Sequence, residues 1–292
     1  MEYKLNNNKK DVKDYFSQQT RYWRSVYAIE QERLRGFRKF EMQKRQEVVL
    51  KFLDEYALDK QMKVLDIGCG PGGFIENIIN RGHKTMALDI SNEMVTECKQ
   101  SIEKIVPGGA PVLQADVENL PFLNDSFDVI FCIGVLQYLN KDYFGLNELS
   151  RILKSGGVAI ITVPNILRLN TIFDPYYYIF RGPKYLWLKL AKIFGENSNA
   201  DKKTDFKENI EFKNRRYFFR RFKSQCENHN LLCISSYPIG FGPLTIWRRQ
   251  LLPFKWSLKI NNFLEKMTTK RFILSINHFA SRWVFCFKKL HK

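Results

Sequence analysis

The sequence predicts an α/β fold, a doubly wound and mostly parallel sheet with a ligand bound beyond its strand ends. Two observations lead there. The run Val64-Leu65-Asp66-Ile67 passes directly into Gly68-Cys69-Gly70-Pro71-Gly72-Gly73, and Phe74, Ile75, Ile78 and Ile79 then recur at helical spacing. That pattern reads as strand, tight loop and helix. Glycine admits positive φ and lets a ligand come close, while the start of the helix offers unpaired N–H groups. The second observation is that Asp66, Asp89 and Asp116 each stand at the end of an apolar, strand-like run. Three carboxylates are therefore expected at one sheet edge, the edge where open α/β sheets hold their ligands.

The loop chemistry narrows the ligand. A dinucleotide-binding turn reads G-x-G-x-x-G and seats a pyrophosphate on the helix start. Here the spacing is G-x-G-x-G-G, with Asp66 two residues ahead of the first glycine. A carboxylate there repels pyrophosphate and suits a cation, such as the amino group and sulfonium of S-adenosylmethionine. The stretch resembles the first motif of the class I (Rossmann-like) S-adenosylmethionine-dependent methyltransferases. The aromatic opening around Tyr15-Phe16, Trp23 and Tyr27 resembles that of members from quinone and porphyrin biosynthesis. The resemblance covers residues 62–165 and implies a seven-stranded, mostly parallel sheet with S-adenosyl-L-methionine as cofactor. It also implies a donor site of Asp66, Gly68, Cys69 and Gly70, with Asp89 and Ile90 at the ribose and Asp116 and Val117 at the adenine. Ile133 and Gln137 fall near the methionine or the acceptor.

Taken in order, residues 1–60 read as a helical lid, since they hold no proline. An aromatic face at Tyr15, Tyr22 or Trp23, and Val26 recurs near every 3.6 residues, and Tyr15 and Trp23 are acceptor-side candidates. Val48, Val49, Phe52 and Leu53 form the helix packed under the first strand. Residues 61–165 read as the donor-binding core, with strands at 64–67, 84–90 and 112–116. A fourth strand at Phe127–Ile133 follows the polar turn Asn124-Asp125-Ser126. Tyr138, just past that strand, is a catalytic candidate. A helix over 146–153 stops at Ser155-Gly156-Gly157, a fifth strand runs over 158–163, and Asn165 ends it as an acceptor candidate.

Residues 166–292 read as the C-terminal half of the sheet, carrying two aromatic and basic insertions at 166–210 and 240–280. Asp174-Pro175-Tyr176-Tyr177 reads as a turn in the first, with Tyr177 as a substrate candidate. A basic helix around Phe218–Cys226 precedes a sixth strand at 231–237. A last strand at 283–288 follows from the topology of the family resembled, although Ile276, Phe279, Ala280, Trp283 and Phe287 also recur helically. In the second insertion Trp256, Ile260, Phe263, Leu264 and Met267 share one helical face.

Composition sets the outer bounds. The six cysteines show no C-x-x-C spacing, so they read as buried thiols of a cytoplasmic protein, and no metal site is suggested. The polar N-terminus is not a secretory signal, and no apolar run reaches the roughly 18 residues needed to span a bilayer. Residues 1–160 hold 22 basic and 22 acidic side chains, so the whole net charge of +17 lies in residues 161–292. Such a patch suits an anionic membrane face or nucleic acid. Of the four histidines, His278 stands where a base could act, and it joins Tyr138 as a catalytic candidate. The expected activity is methyl transfer, most simply to oxygen, on a lipophilic or membrane-associated small molecule. An RNA methyltransferase and a non-catalytic, cofactor-binding partner subunit are the alternatives.

Overall fold

The computed structural model describes residues 9–27, 36–56, 61–106, 108–169, 174–176, 178–179, 214–247, 249–268 and 276–290. Three helices come first: α1 (Lys9–Gln18), α2 (Thr20–Tyr27) and α3 (Phe37–Tyr56). Strands β1 (Lys63–Ile67), β2 (Lys84–Asp89), β3 (Val112–Gln114), β4 (Phe127–Ile133) and β5 (Leu153–Pro164) then alternate with helices α4 (Ile75–Ile79), α5 (Asn92–Glu103) and α6 (Asp142–Ile152). Beyond them lie α7 (Phe219–Glu227), β6 (Leu231–Ile239), the hairpin strands β7 (Thr245–Ile246) and β8 (Arg249–Gln250), α8 (Phe254–Thr268) and β9 (Arg282–Lys289).

Seven strands pair in the order β3-β2-β1-β4-β5-β9-β6. The first five are parallel, and β9 runs antiparallel between β5 and β6. Strand order reverses between β1 and β4, and a crevice opens at the carboxyl ends of strands that diverge in this way. Both faces of the sheet are covered, which is why its strands read as near-continuous apolar runs. Val129, Phe131 and Ile133 of β4 pack with Val64 and with Val48, Val49, Phe52 and Leu53 of α3. Ile130 and Cys132, on the alternate positions, pack with Leu65, Ile67, Leu146, Leu149 and Phe222.

Several expectations need correction. The glycines at 156 and 157 do not end a loop; they lie within β5, whose register against β4 jumps from Phe127↔Leu153 to Val129↔Val158. The extra residues are absorbed as a bulge, with Gly156 at φ +80. Gly157 is required by space rather than by φ, since a Cβ there would lie 2.8 Å from the Asp128 carbonyl and 2.9 Å from that of Lys154. The third strand ends at Gln114, and Asp116 belongs to a turn bridged to Asn119. The N-terminal helix breaks at Gln19, while residues 28–35 and 57–60 lie outside the described residues. At the other end, Ile276–Phe279 is a single 3₁₀ turn, and β9 is a strand throughout.

Helix α8 turns its polar stripe, and not its apolar one, toward the body of the protein. Trp256 and Phe263 are 59% and 61% exposed, while the polar Ser257, Asn261 and Glu265 are buried. Neighbouring backbone needs these polar side chains: Asn261 Oδ1 accepts from the N–H of Phe241 in the turn after β6 at 2.8 Å, and Ser257 Oγ donates to the Leu252 carbonyl just before the helix at 3.3 Å. Asp174 is likewise buried and polar. It accepts from the Tyr176 and Trp247 N–H groups and from the Thr245 hydroxyl, tying the expected turn to the β7–β8 hairpin. The six cysteines are free thiols, five of them buried. Among the described residues no helix is long and apolar enough to cross a membrane, and no cluster of side chains is placed to hold a metal.

Two stability measurements check this account. Gly157→Ala should cost about 1–3 kcal/mol through overpacking, read as a lower urea midpoint at unchanged m-value. Asn165→Ala should cost a similar ~1–3 kcal/mol, because the buried Asn165 amide donates to the His278 and Ala280 carbonyls at 2.6 and 2.7 Å. An unchanged midpoint in either variant would contradict the packing described.

Candidate active site

The carboxyl ends of β1, β2 and β4 enclose a cavity, with α1, α2 and α3 as its outer wall. Its floor is the glycine turn. Gly68 and Cys69 donate their N–H groups to the Leu88 carbonyl at 2.8 and 3.0 Å, and Gly70 donates to Asp89 Oδ2 at 3.0 Å. Gly68 and Gly70 hold φ of +69 and +53, the left-handed region that glycine adopts without strain. A Cβ on Gly70 would meet nothing within 4 Å, so the turn presents bare backbone to the cavity, whereas one on Gly68 would strike Val135.

Asp89 lies at the end of β2 and lines the cavity while only 8% exposed. Its Oδ1 accepts from the Ser91 N–H at 2.9 Å, and the Ile90 N–H also bonds the carboxylate, so backbone donors hold both oxygens at the cavity's edge. Burial raises its pKa, and the Ser91 and Gly70 N–H groups pull against that rise. Ile90 lines the same end, followed by Ala115, Asp116 and Val117. Asp116 is already engaged: Oδ2 meets Lys9 Nζ at 2.5 Å, Oδ1 accepts from the Glu118 N–H, and Glu118 meets the same lysine at 2.6 Å. Ser17 of α1 meets Ser91 at 3.1 Å and donates to Glu93, so α1 is fastened across this end at two points.

The opposite wall is the end of β4. Ile133, Gly134, Gln137 and Tyr138 line it. Gln137 is 3% exposed and its Oε1, among the described residues, has no hydrogen-bond donor. Tyr138 is held edge-on by Phe16 at 5.0 Å. Trp23 also lines the cavity.

Other expected residues fall elsewhere. Asp66 and Cys69 are not among the lining residues. Asp66 is buried one residue below Ile67 with Oδ2 unpartnered, and burial and Asp89 push its carboxyl up to about 7 against the pull of Arg45. Cys69 points back toward Cys98, whose thiol together with burial raises its pKa. Tyr15 stacks edge-on against Phe16 instead of entering the cavity, since the inward face of α1 carries Lys9, Val12 and Phe16. Asn165 spends its amide on the backbone at 278 and 280, and the His278 ring packs on Phe219; neither lines the cavity. Tyr177 lies outside the described residues.

Sequence reading missed Lys9, Phe16, Met42, Arg45 and Arg282, all of which line the cavity. Arg45 had a signal. It precedes Val48 and Val49 by three and four residues, which puts a charge on the buried stripe of α3. Its Nη1 would lie 3.7 Å from a Cβ on Gly134, directly over the end of β4.

Residues 65–161 match the family model described as "Methyltransferase domain". Malonyl-[acyl-carrier protein] O-methyltransferase of Erwinia billingiae is 34% identical over 129 residues, 42% of this chain and 49% of that protein. 2-Methyl-6-phytyl-1,4-hydroquinone methyltransferase 1, chloroplastic, of Oryza sativa subsp. japonica is 31% identical over 135 residues, 45% of this chain and 37% of that protein. The chain thus spans half or less of the length of the curated relatives it matches. Among solved structures, magnesium protoporphyrin IX methyltransferase from Synechocystis PCC 6803 with bound SAH superimposes with a TM-score of 0.61 at 13% identity, over 96% of this chain and 99% of that one. The [4+2]-cyclase SpnF superimposes with a TM-score of 0.60 at 13% identity, over 99% and 98%. The glycine turn, the strand order with one antiparallel strand and the match over residues 65–161 agree: the core of this chain is similar to a methyltransferase domain and has the class I S-adenosylmethionine-dependent methyltransferase fold.

Proposed function

We propose that this protein transfers a methyl group from S-adenosyl-L-methionine to an oxygen of a lipophilic small molecule. Asp89 carries the donor half of the reading. Backbone donors at Gly70, Ile90 and Ser91 hold its carboxylate at the cavity's edge, where it can accept from a ribose diol. The unobstructed backbone at Gly70 and the orphaned Gln137 Oε1 also fit a ligand rich in donors. When bound, the sulfonium supplies an activated methyl group for in-line displacement.

The chain's own residues then bind, orient and exclude water. Ile90, Ala115 and Val117 offer apolar surface to the adenine, beside the Lys9–Asp116–Glu118 cluster. Arg45 stands where the donor's carboxylate would meet it, and Asp66, its carboxyl raised to about 7 by burial and Asp89, would be drawn toward its charged form by the donor's cationic groups above it. Tyr138 orients the acceptor. His278, packed on Phe219, has no part in this reading.

Two observations support a lipophilic acceptor. Val12, Phe16, Trp23, Met42, Val135 and Leu139 make the remaining wall largely apolar. Outside, Ile246, Trp247, Leu251, Phe254, Trp256 and Phe263 are exposed around α8, with Arg249, Lys255, Lys259 and Lys266 among them. The Lys259 ammonium sits 4.9 Å over the Trp256 ring. Aromatic side chains interleaved with lysine are the composition of a helix lying in an anionic membrane interface. A relative named for a phytyl hydroquinone is in keeping with such an acceptor.

Calorimetry with S-adenosylmethionine tests the donor site. Asp89→Ala should weaken binding by about 10- to 100-fold, the worth of a hydrogen bond to a charged group, while Asp89→Asn, which keeps one acceptor oxygen, should lose less. Full affinity in Asp89→Ala would remove the ribose assignment. Sedimentation with vesicles tests the surface. The protein should pellet with phosphatidylserine vesicles and not with neutral ones, and the Trp256→Ala, Phe263→Ala pair should lower the partition about 10-fold or more, since each buried aromatic contributes roughly 1.5–3 kcal/mol. Unchanged sedimentation of the double variant, or RNA that displaces the protein regardless of lipid, would sink the membrane reading.

A further inference from the structure

Two carboxyl groups lie beside the glycine turn at neighbouring strand ends, and they are built in opposite ways. Asp89 of β2 has the backbone N–H groups of Gly70, Ile90 and Ser91 around it. Asp66 of β1 is 1% exposed, and its Oδ2 has no hydrogen-bond donor among the described residues. An ionised carboxylate buried without donors is far costlier than the neutral acid. Where two nearby carboxyl groups differ in this way, the one that lacks donors holds the proton.

Register settles the surroundings of Asp66. It stands opposite Ala87 and Phe131 across the sheet and shares a face with Val64, which packs on α3. The charged and titratable groups around it are Asp89 of β2, Arg45 of α3, Cys69 of the turn and Cys132 of β4. Cys98 and burial raise the Cys69 thiol, and burial takes that of Cys132 to about 12, so both thiols are neutral near neutral pH. Burial and Asp89 are left to hold the proton on Asp66 against Arg45, a balance that falls at about 7.

Asp66 is also within electrostatic reach of the cavity. The next two residues, Ile67 and Gly68, line it, so a cation seated on the glycine turn acts on Asp66 through buried protein and not through water. Charges interact several times more strongly there. The donor assigned to this site carries two positive centres, its ammonium and its sulfonium.

We propose that Asp66 is a proton-linked positioning residue: it keeps its proton while the cavity is empty and gives it up to solvent when the cationic donor enters. In that step the carboxyl O–H bond breaks, its electron pair stays on Asp66 and the proton passes to the buffer. The carboxylate left behind faces a positive charge that answers it. Because the bound cation lowers the carboxyl pKa from about 7, the affinity this adds is complete above that pH and is lost progressively below it. Donor uptake and the surrounding pH are thereby linked through one side chain that is not among the lining residues.

This proposal rests on the donor reading, and calorimetry separates the two. The full chain is titrated with S-adenosylmethionine in buffers of different ionisation enthalpy at about pH 6.5, where an α-amino group is almost fully protonated. The dependence of the heat on the buffer should show about half a proton or more released per donor bound, and affinity should rise about 5- to 10-fold from about pH 5.5 to about pH 6.5. Asp66→Asn, which keeps the shape and has no titratable proton, should show neither. If that variant does not fold, the wild-type proton count decides on its own. Donor bound by the wild type without proton release, or a release that survives in folded Asp66→Asn, overturns the proposal and leaves the donor reading standing. No donor bound by the wild type at any pH overturns the donor reading, and this one with it.

Discussion

Three backbone N–H groups of the glycine turn are all satisfied by one neighbouring strand. Gly68 and Cys69 use the Leu88 carbonyl, and Gly70 uses the Asp89 carboxylate. This stitching of β1 to the end of β2 fixes the floor of the cavity. It draws the loop close to the sheet, which only positive φ at Gly68 and Gly70 allows. It also orients Asp89, whose carboxylate is held by backbone donors at the cavity's edge. The rest follows from that geometry: where the donor's ribose lies decides where its methionine end reaches, and hence which residues of β4 and β9 meet an acceptor.

Elements whose signal is periodic were legible in the sequence. The alternating burial of Val64 and Leu65, or Val129 and Ile130, needs no tertiary information, and neither does a strand that runs into four glycines. Legibility ends where two patterns fit equally. Helix α8 has an apolar stripe at 256, 260, 263, 264 and 267, and an equally regular polar stripe at 257, 261 and 265. Periodicity reports both stripes and does not say which one faces inward. The backbone of the turn at 239–244 decides, and its needs are invisible until the chain is folded. The glycines of β5 misled for a related reason. They mark an interruption, and only the pairing with β4 turns the interruption into a bulge against Asp128.

The site divides in the same manner. Residues joined to the glycine turn by sequence distance, such as Asp89, Ile90, Asp116 and Val117, were reachable because the loop sets a ruler for the strand ends downstream of it. Residues brought in from outside the ruler were not. Phe16 was passed over for Tyr15, although Phe16 and Trp23, seven residues apart, share one helical face and both line the cavity. Arg282 looks like a polar strand start, and its place in the cavity lining depends on a register opposite Pro164 that links positions more than a hundred residues apart. Arg45 is the instructive case, since a charge on an otherwise apolar helical face was visible all along and goes unremarked unless each charged residue is tested against the buried stripe.

Helix α1 touches both ends of the cavity. Lys9 closes over the Asp116 and Glu118 side, while Phe16, two turns along, braces Tyr138 on the other. A rigid rod that forms part of two binding surfaces cannot be ordered by one ligand without being ordered for the second. Were a ligand to bind at each end, any ordering of this shared wall by one would be felt by the other, and by thermodynamic reciprocity the coupling would be equal in both directions.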